Sequence, residues 1–108
     1  MDFNQLKVEI KNIPLQETRA DRDDYLEVVI NSEKITDISG ILNRYFGLPA
    51  WPSDKEIQKG VKETIDKFGG IIKGQILYAK YENNSQTFAM IWPWQSTRFF
   101  TLKIGFKT

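Results

Sequence analysis

The chain has 108 residues, 15 basic and 14 acidic side chains, a formal net charge of +1, and neither Cys nor His. This length suits one domain with a core of its own, so we expect residues 1–108 to form a single domain. The absence of Cys and His excludes disulfides, thiolate chemistry, the common zinc sites and catalytic pairs that use His.

The near-neutral charge gives no long-range attraction to nucleic acid or to anionic lipid. No segment is apolar enough for long enough to span a bilayer, and the first ten residues lack the pattern of a signal peptide. We therefore expect a soluble cytoplasmic protein with no membrane contact, no metal and no cofactor.

Residues 2–12 fit either a helix or a strand. A helix would gather four apolar side chains on one side, those of Phe3, Leu6, Ile10 and Ile13. Val8 fits only a strand, but the helix collects more apolar residues and Asp2 can cap it. Pro14 would end this helix. The polar residues 15–24 that follow are predicted to be an exposed loop.

A strand near residues 24–31 is predicted next, with Leu26, Val28 and Ile30 on one side. An amphipathic helix over residues 34–46 follows, because its apolar residues recur at spacings of three and four. Ser32 or Thr36 could cap this helix. Gly47 and Pro49 are typical of its end.

A second helix is predicted from Ser53, with Glu56 completing a capping box. Its apolar stripe consists of Ile57, Val61, Ile65 and Phe68. Gly69 and Gly70 would end it. The helix leads directly into the most β-like part of the sequence.

Residues 71–81, 86–94 and 97–106 are predicted to form three consecutive antiparallel strands, because β-branched and aromatic residues dominate them. A two-residue turn at residues 83–84 would place Ala79 opposite Phe88 and Leu77 opposite Met90. A second turn at residues 95–96 would place Trp92 opposite Phe99 and Met90 opposite Thr101.

These elements predict an α+β fold. Its sheet would be four-stranded and mostly antiparallel, built from the strand near residues 24–31 and the C-terminal three-stranded meander. The two central helices would pack on one face, and residues 2–12 could form a further helix at the N-terminus. The predicted core face carries Leu26, Val28, Ile30, Ile76, Tyr78, Ala89, Ile91, Phe100, Leu102 and Ile104.

The second face of the predicted sheet is also apolar and aromatic, which is unusual for the solvent side of an antiparallel sheet. Its members are Leu77, Ala79, Tyr81, Phe88, Met90, Trp92, Trp94 and Phe99, with Thr101 and Lys103. The N-terminal segment could cover this face. The other candidates are a second copy of the chain, another protein and an apolar ligand. A one-residue slip in either turn would exchange the two faces.

Trp92, Pro93 and Trp94 form the most unusual local sequence, and Trp51 lies on a proline-flanked linker. The simpler interpretation is that these Trp residues fill the core and the sheet edge. The sharper hypothesis is a binding surface made of Trp51, Tyr81, Phe88, Met90, Trp92, Trp94 and Phe99.

Asp21, Asp23 and Asp24 could suggest a cation site, but Arg19 and Arg22 compete for their carboxylates.

The first functional hypothesis is a protein-interaction or self-association module, for example a homodimer, that uses the aromatic face of the sheet. The alternative is a small-molecule-binding protein or an enzyme, with an apolar pocket near Trp51, Trp92 and Trp94. A third is single-stranded nucleic acid stacked on sheet aromatics, against which the near-neutral charge argues. No residue pattern predicts a catalytic group, so the sequence favours a protein that is not an enzyme.

Overall fold

The computed structural model describes residues 2–47, 49, 75–82, 84–96 and 98–107. Within these residues the chain forms two helices and five strands, an α+β fold. The elements are α1 (Phe3–Lys11), β1 (Glu17–Arg22), β2 (Tyr25–Asn31), α2 (Ile35–Phe46), β3 (Ile76–Glu82), β4 (Ser85–Pro93) and β5 (Phe99–Lys107). The predicted helix over residues 53–68 and the start of the first meander strand lie outside the described residues.

The five strands form one antiparallel sheet in the order β1-β2-β5-β4-β3. The predicted four-stranded sheet lacked β1, which occupies part of the predicted loop over residues 15–24. All but one of the side chains of β1 are exposed, so the strand leaves no apolar alternation to detect. Its backbone pairs with β2 along one side and makes β1 an edge strand.

The N-terminal segment is a helix, as the apolar spacing predicted. Asp2 caps α1 by accepting a hydrogen bond of 2.9 Å from the backbone N–H of Gln5, and the Gln5 side chain accepts one from the Asp2 N–H. This reciprocal capping box satisfies two donors that a helix start otherwise leaves open. Phe3, Leu6 and Ile10 form the buried side of the helix.

Helix α2 begins after a 3-10 turn over Ser32–Lys34. Neither predicted cap is used, because Asn31 accepts a hydrogen bond from the Glu33 N–H and so caps the turn that precedes the helix. At the other end the helix stops at Gly47 as predicted, and Gly47 adopts a φ of 84°, which glycine tolerates.

Both described helices pack on the same face of the sheet, which is the predicted core face. The buried cluster there contains Phe3, Leu6, Ile10, Leu26, Val28, Ile30, Ile38, Ile41, Leu42, Tyr78, Ala89, Ile91, Phe100, Leu102 and Ile104. The suggestion that the N-terminal segment covers the second face is therefore wrong. Its apolar residues complete the first core instead.

The pairing of β3 with β4 is the predicted one, with Ala79 opposite Phe88 and Leu77 opposite Met90. Asn84 in the turn has a φ of 64°, which Asn tolerates better than most residues. The pairing of β4 with β5 differs from the prediction by two residues, since Trp92 lies opposite Thr101 and Met90 opposite Lys103. A shift of two residues leaves every side chain on its predicted face.

Candidate interaction surface

The central side chains of the second face of the sheet are buried. Leu77, Phe88 and Met90 are each only 1% exposed, and Val29 of β2 is equally buried. Both described helices lie on the opposite face, so no helix among the described residues accounts for this burial. Phe88 and Met90, predicted as binding residues, are thus buried side chains in the centre of this face.

Accessible aromatic side chains gather where β4 ends and β5 begins. The rings of Trp94 and Phe99 lie 5.4 Å apart, and the Trp94 backbone N–H donates to the Phe99 carbonyl at 3.0 Å. Trp94 Nε1 also donates to Thr101 Oγ1 at 2.9 Å. Both rings are half-buried. Three contacts therefore fix the orientation of Trp94 while leaving part of its surface accessible.

Arg19 reaches this cluster from the edge strand β1. The register of β1 against β2 shifts between Thr18 and Ala20, so Arg19 is the extra residue of a β-bulge. Bulges re-aim side chains, and here the guanidinium carbon lies 5.5 Å from the centroid of the Trp94 ring. Glu17 Oε2 lies 3.4 Å from Arg19 Nε.

Trp92 lies beside this cluster on the same face, and a second cation lies over its ring. Lys103 Nζ is 4.6 Å from the centroid of the Trp92 ring, and both side chains are half-buried. Trp92 Nε1 is buried, and no described residue accepts a hydrogen bond from it. We call Arg19, Trp92, Trp94, Phe99 and Lys103 together the aromatic end.

A polar pair borders the aromatic end on β2. The Tyr25 hydroxyl donates to Glu27 Oε1 at 2.6 Å, and Glu27 is the cross-strand partner of Lys103. Burial raises the pKa of Tyr25 far above its usual value, and the hydrogen bond to Glu27 raises it further. Tyr25 therefore stays a neutral hydrogen-bond donor at ordinary pH.

The predicted binding residues do not form one site. Tyr81 is 65% exposed but pairs with Gln86, six residues along β4 from Trp92, which corresponds to about 20 Å. Trp51 lies outside the described residues, so the apolar-ligand pocket that needs it stays a prediction. Of the described members of the predicted set, only Trp92, Trp94 and Phe99 lie together and are accessible.

Sequence reasoning missed the contribution of Arg19. It assigned this residue to an exposed loop and considered it only as a competitor for nearby carboxylates. A bulge in a polar edge strand has no signature in a single sequence, so no local signal pointed to the contact with Trp94. Lys103 was assigned to the correct face by alternation, but its position over Trp92 depends on the register that was wrong by two residues.

None of the helices in the described ranges is long and apolar enough to cross a membrane. The chain matches no model of a protein family, no curated protein and no solved structure.

Proposed function

We propose that this chain is a protein-interaction module and that the aromatic end is its contact surface. The observation that supports this proposal is the accessible Trp94–Phe99 pair with Arg19 stacked on it. Trp, Tyr and Arg are the residues most enriched among those that dominate the binding energy of protein interfaces. Such residues are most effective when a partner can bury them completely.

The rigidity of the aromatic end also favours a binding role. Binding costs conformational entropy whenever a side chain must be immobilised, and a side chain that is already fixed avoids part of that cost. Trp94 is held by Thr101 and Phe99 before any partner arrives. Arg19 already lies over the Trp94 ring, with its guanidinium carbon 5.5 Å from the ring centroid. The surface is therefore preorganised for contact.

Selection of peptides from a random phage-displayed library on the immobilised protein tests this proposal. We expect enriched peptides whose affinity falls on the order of 10-fold or more in Trp94→Ala, as for a central interface residue. Arg19→Gln provides a second variant that leaves the fold intact, because this side chain is 42% exposed. Circular dichroism would check the fold of each variant.

Tyr81→Ala is the matched control, since Tyr81 is an exposed aromatic residue of the same face at its opposite end. Its peptide affinities should equal those of the unmodified protein. The proposal fails if no peptide is enriched, or if the enriched peptides bind Trp94→Ala and Arg19→Gln unchanged.

Self-association is the simplest form of such an interaction and is tested separately. Light scattering over a range of concentrations would detect a dimer, and Trp92→Glu should then yield a folded monomer. If the protein stays monomeric at every concentration, the proposed partner is a different protein and not a second copy of the chain.

A further inference from the structure

Lys103, the cation that lies over Trp92, lacks a carboxylate partner among the described residues. Lys103 is half-buried, and its ammonium contacts the indole ring at 4.6 Å, but no ion pair within 4.0 Å links it to a described acidic residue. Glu27 lies directly across the strand pair, yet its carboxylate accepts the hydrogen bond from Tyr25. Partly buried charges are usually paired, so this ammonium has capacity for an acceptor.

The indole N–H of Trp92 is a second donor beside the Lys103 ammonium. Trp92 Nε1 is buried and has no acceptor, whereas the equivalent atom of Trp94 donates to Thr101. An unsatisfied buried donor destabilises a fold, and most buried polar groups in native proteins have a hydrogen-bond partner. Among the described residues, therefore, no acceptor at this ring competes with a partner for the Lys103 ammonium.

Arg19 adds a third group of donors with a weak internal partner. Its contact with Glu17 is 3.4 Å long and both side chains are largely exposed, at 42% and 56%. An exposed ion pair of this kind contributes little, because water and salt screen it. The guanidinium can exchange this contact for a better acceptor and still lie on Trp94.

We propose that the partner of the aromatic end is an acidic segment of another protein, and that its carboxylates bind Lys103 and Arg19 while apolar side chains pack on Trp94 and Phe99. This inference rests on the proposed function. Charge-assisted hydrogen bonds to carboxylates are short and strong, and two cations about one aromatic cluster would fix the register of such a segment. The net charge of +1 argues against a polyphosphate partner.

The test uses peptides recovered in the library selection, each synthesised with its Glu and Asp residues intact and again with Gln and Asn in their place. We expect the enriched peptides to be acidic, and the amide versions to bind on the order of 10-fold more weakly. Lys103→Met should remove most of the difference between the two versions, and adding Arg19→Gln should remove the rest. Raised salt should weaken only the acidic versions.

Lys80→Met is the matched control, because Lys80 Nζ also lies over an aromatic ring, that of Tyr45 at 4.9 Å, but on the opposite face of the sheet. It should leave the preference for acidic peptides unchanged. Enriched peptides that depend on Trp94 but bind equally well as amides would overturn this inference and leave the proposed function standing. Phosphorylated peptides that outcompete the acidic ones would overturn it too, and failure to enrich any peptide would remove both proposals.

Discussion

Gly105 lies directly beneath the ring of Phe88 on the second face of the sheet. A Cβ at this position would come within 2.6 Å of Phe88 Cε1, much closer than carbon atoms tolerate. Phe88 is 1% exposed, so its ring has no solvent into which to move. The glycine is therefore needed for close packing across β4 and β5, and its φ is not positive.

We expect Gly105→Ala to lower the free energy of unfolding by about 1–3 kcal/mol through overpacking. Urea denaturation of Gly105→Ala, Phe88→Leu and the double variant would measure this. The double variant should lose less stability than the sum of the two single losses, because the smaller side chain makes room for the methyl group.

Gly40 provides the control for this prediction. It lies in the interior of α2, and a Cβ there meets nothing within 4 Å. Gly40→Ala should therefore stabilise the protein, by about 0.5–1 kcal/mol, through the helix propensity of Ala. A loss of stability in Gly40→Ala, or none in Gly105→Ala, would contradict this account of the two glycines.

At the scale of elements, Asp21 joins β1 to helix α1. Its two carboxylate oxygens contact Lys7 Nζ at 2.8 Å and Lys11 Nζ at 2.5 Å, so one residue of the edge strand holds two successive turns of the helix. The hydrogen bonds from Lys11 and Lys7 lower the pKa of Asp21 below 3.8. Because both carboxylate oxygens of Asp21 contact lysine ammonium groups, they are less available to a metal ion.

A lowered pKa means that the ion pairs stabilise the fold above pH 3.8, and that their contribution is lost as pH falls through the folded-state value. Asp21 is one-third exposed. After allowance for screening, we expect Asp21→Asn to cost about 0.2–1 kcal/mol at neutral pH and nothing in strong acid. Urea denaturation at both pH values would measure the difference.

Glu9→Gln is the control, since the Glu9–Arg44 pair between α1 and α2 is longer, at 3.5 Å, and involves a single cation. Its effect at neutral pH should be smaller than that of Asp21→Asn. An Asp21→Asn cost that is the same at both pH values would show that the ion pairs do not account for it.

The elements with an apolar period were predictable from the sequence, and those without one were not. The spacing of Phe3, Leu6 and Ile10 predicted α1, and the stop at Gly47 predicted the end of α2. Strand β1 has almost no buried side chain, so its place in the sheet depends on backbone hydrogen bonds that composition does not encode. An edge strand needs pairing on one side only, and polar side chains protect it from further pairing.

The sequence predicted which side chains share a face of the sheet, but not which of them are accessible. Alternation assigned Trp92, Trp94 and Phe99 to one face because the error in the β4–β5 turn was an even number of residues. The same alternation could not separate buried Phe88 from accessible Trp94. Burial depends on what packs against each end of the sheet, which a strand pattern does not contain.

At the scale of the whole molecule, stability should decrease from the centre of the sheet to its edges. β5 pairs on both sides and most of its side chains are buried, whereas β1 pairs on one side and is mostly exposed. Amides protected by buried pairing open only with large-scale unfolding, and those of exposed edges open locally.

Hydrogen exchange would test this order. We expect the slowest amides in β5 and in the segments of β2 and β4 that pair with it, and the fastest strand amides in β1. Exchange in β1 as slow as in β5 would mean that the edge strand belongs to the cooperative core. Asp21→Asn should accelerate exchange in β1 without changing that of β5, since it affects only the link to α1.

The strand order has a consequence for biosynthesis. β5 lies between β2 and β4, so in the sheet of the described residues the β1–β2 hairpin and the β3–β4 hairpin are joined through the strand that is synthesised last of the five. Until β5 has paired, the inner edges of β2 and β4 are both open to other chains. The apolar residues of β2 and β4 are thus open to aggregation until β5 has paired with both strands.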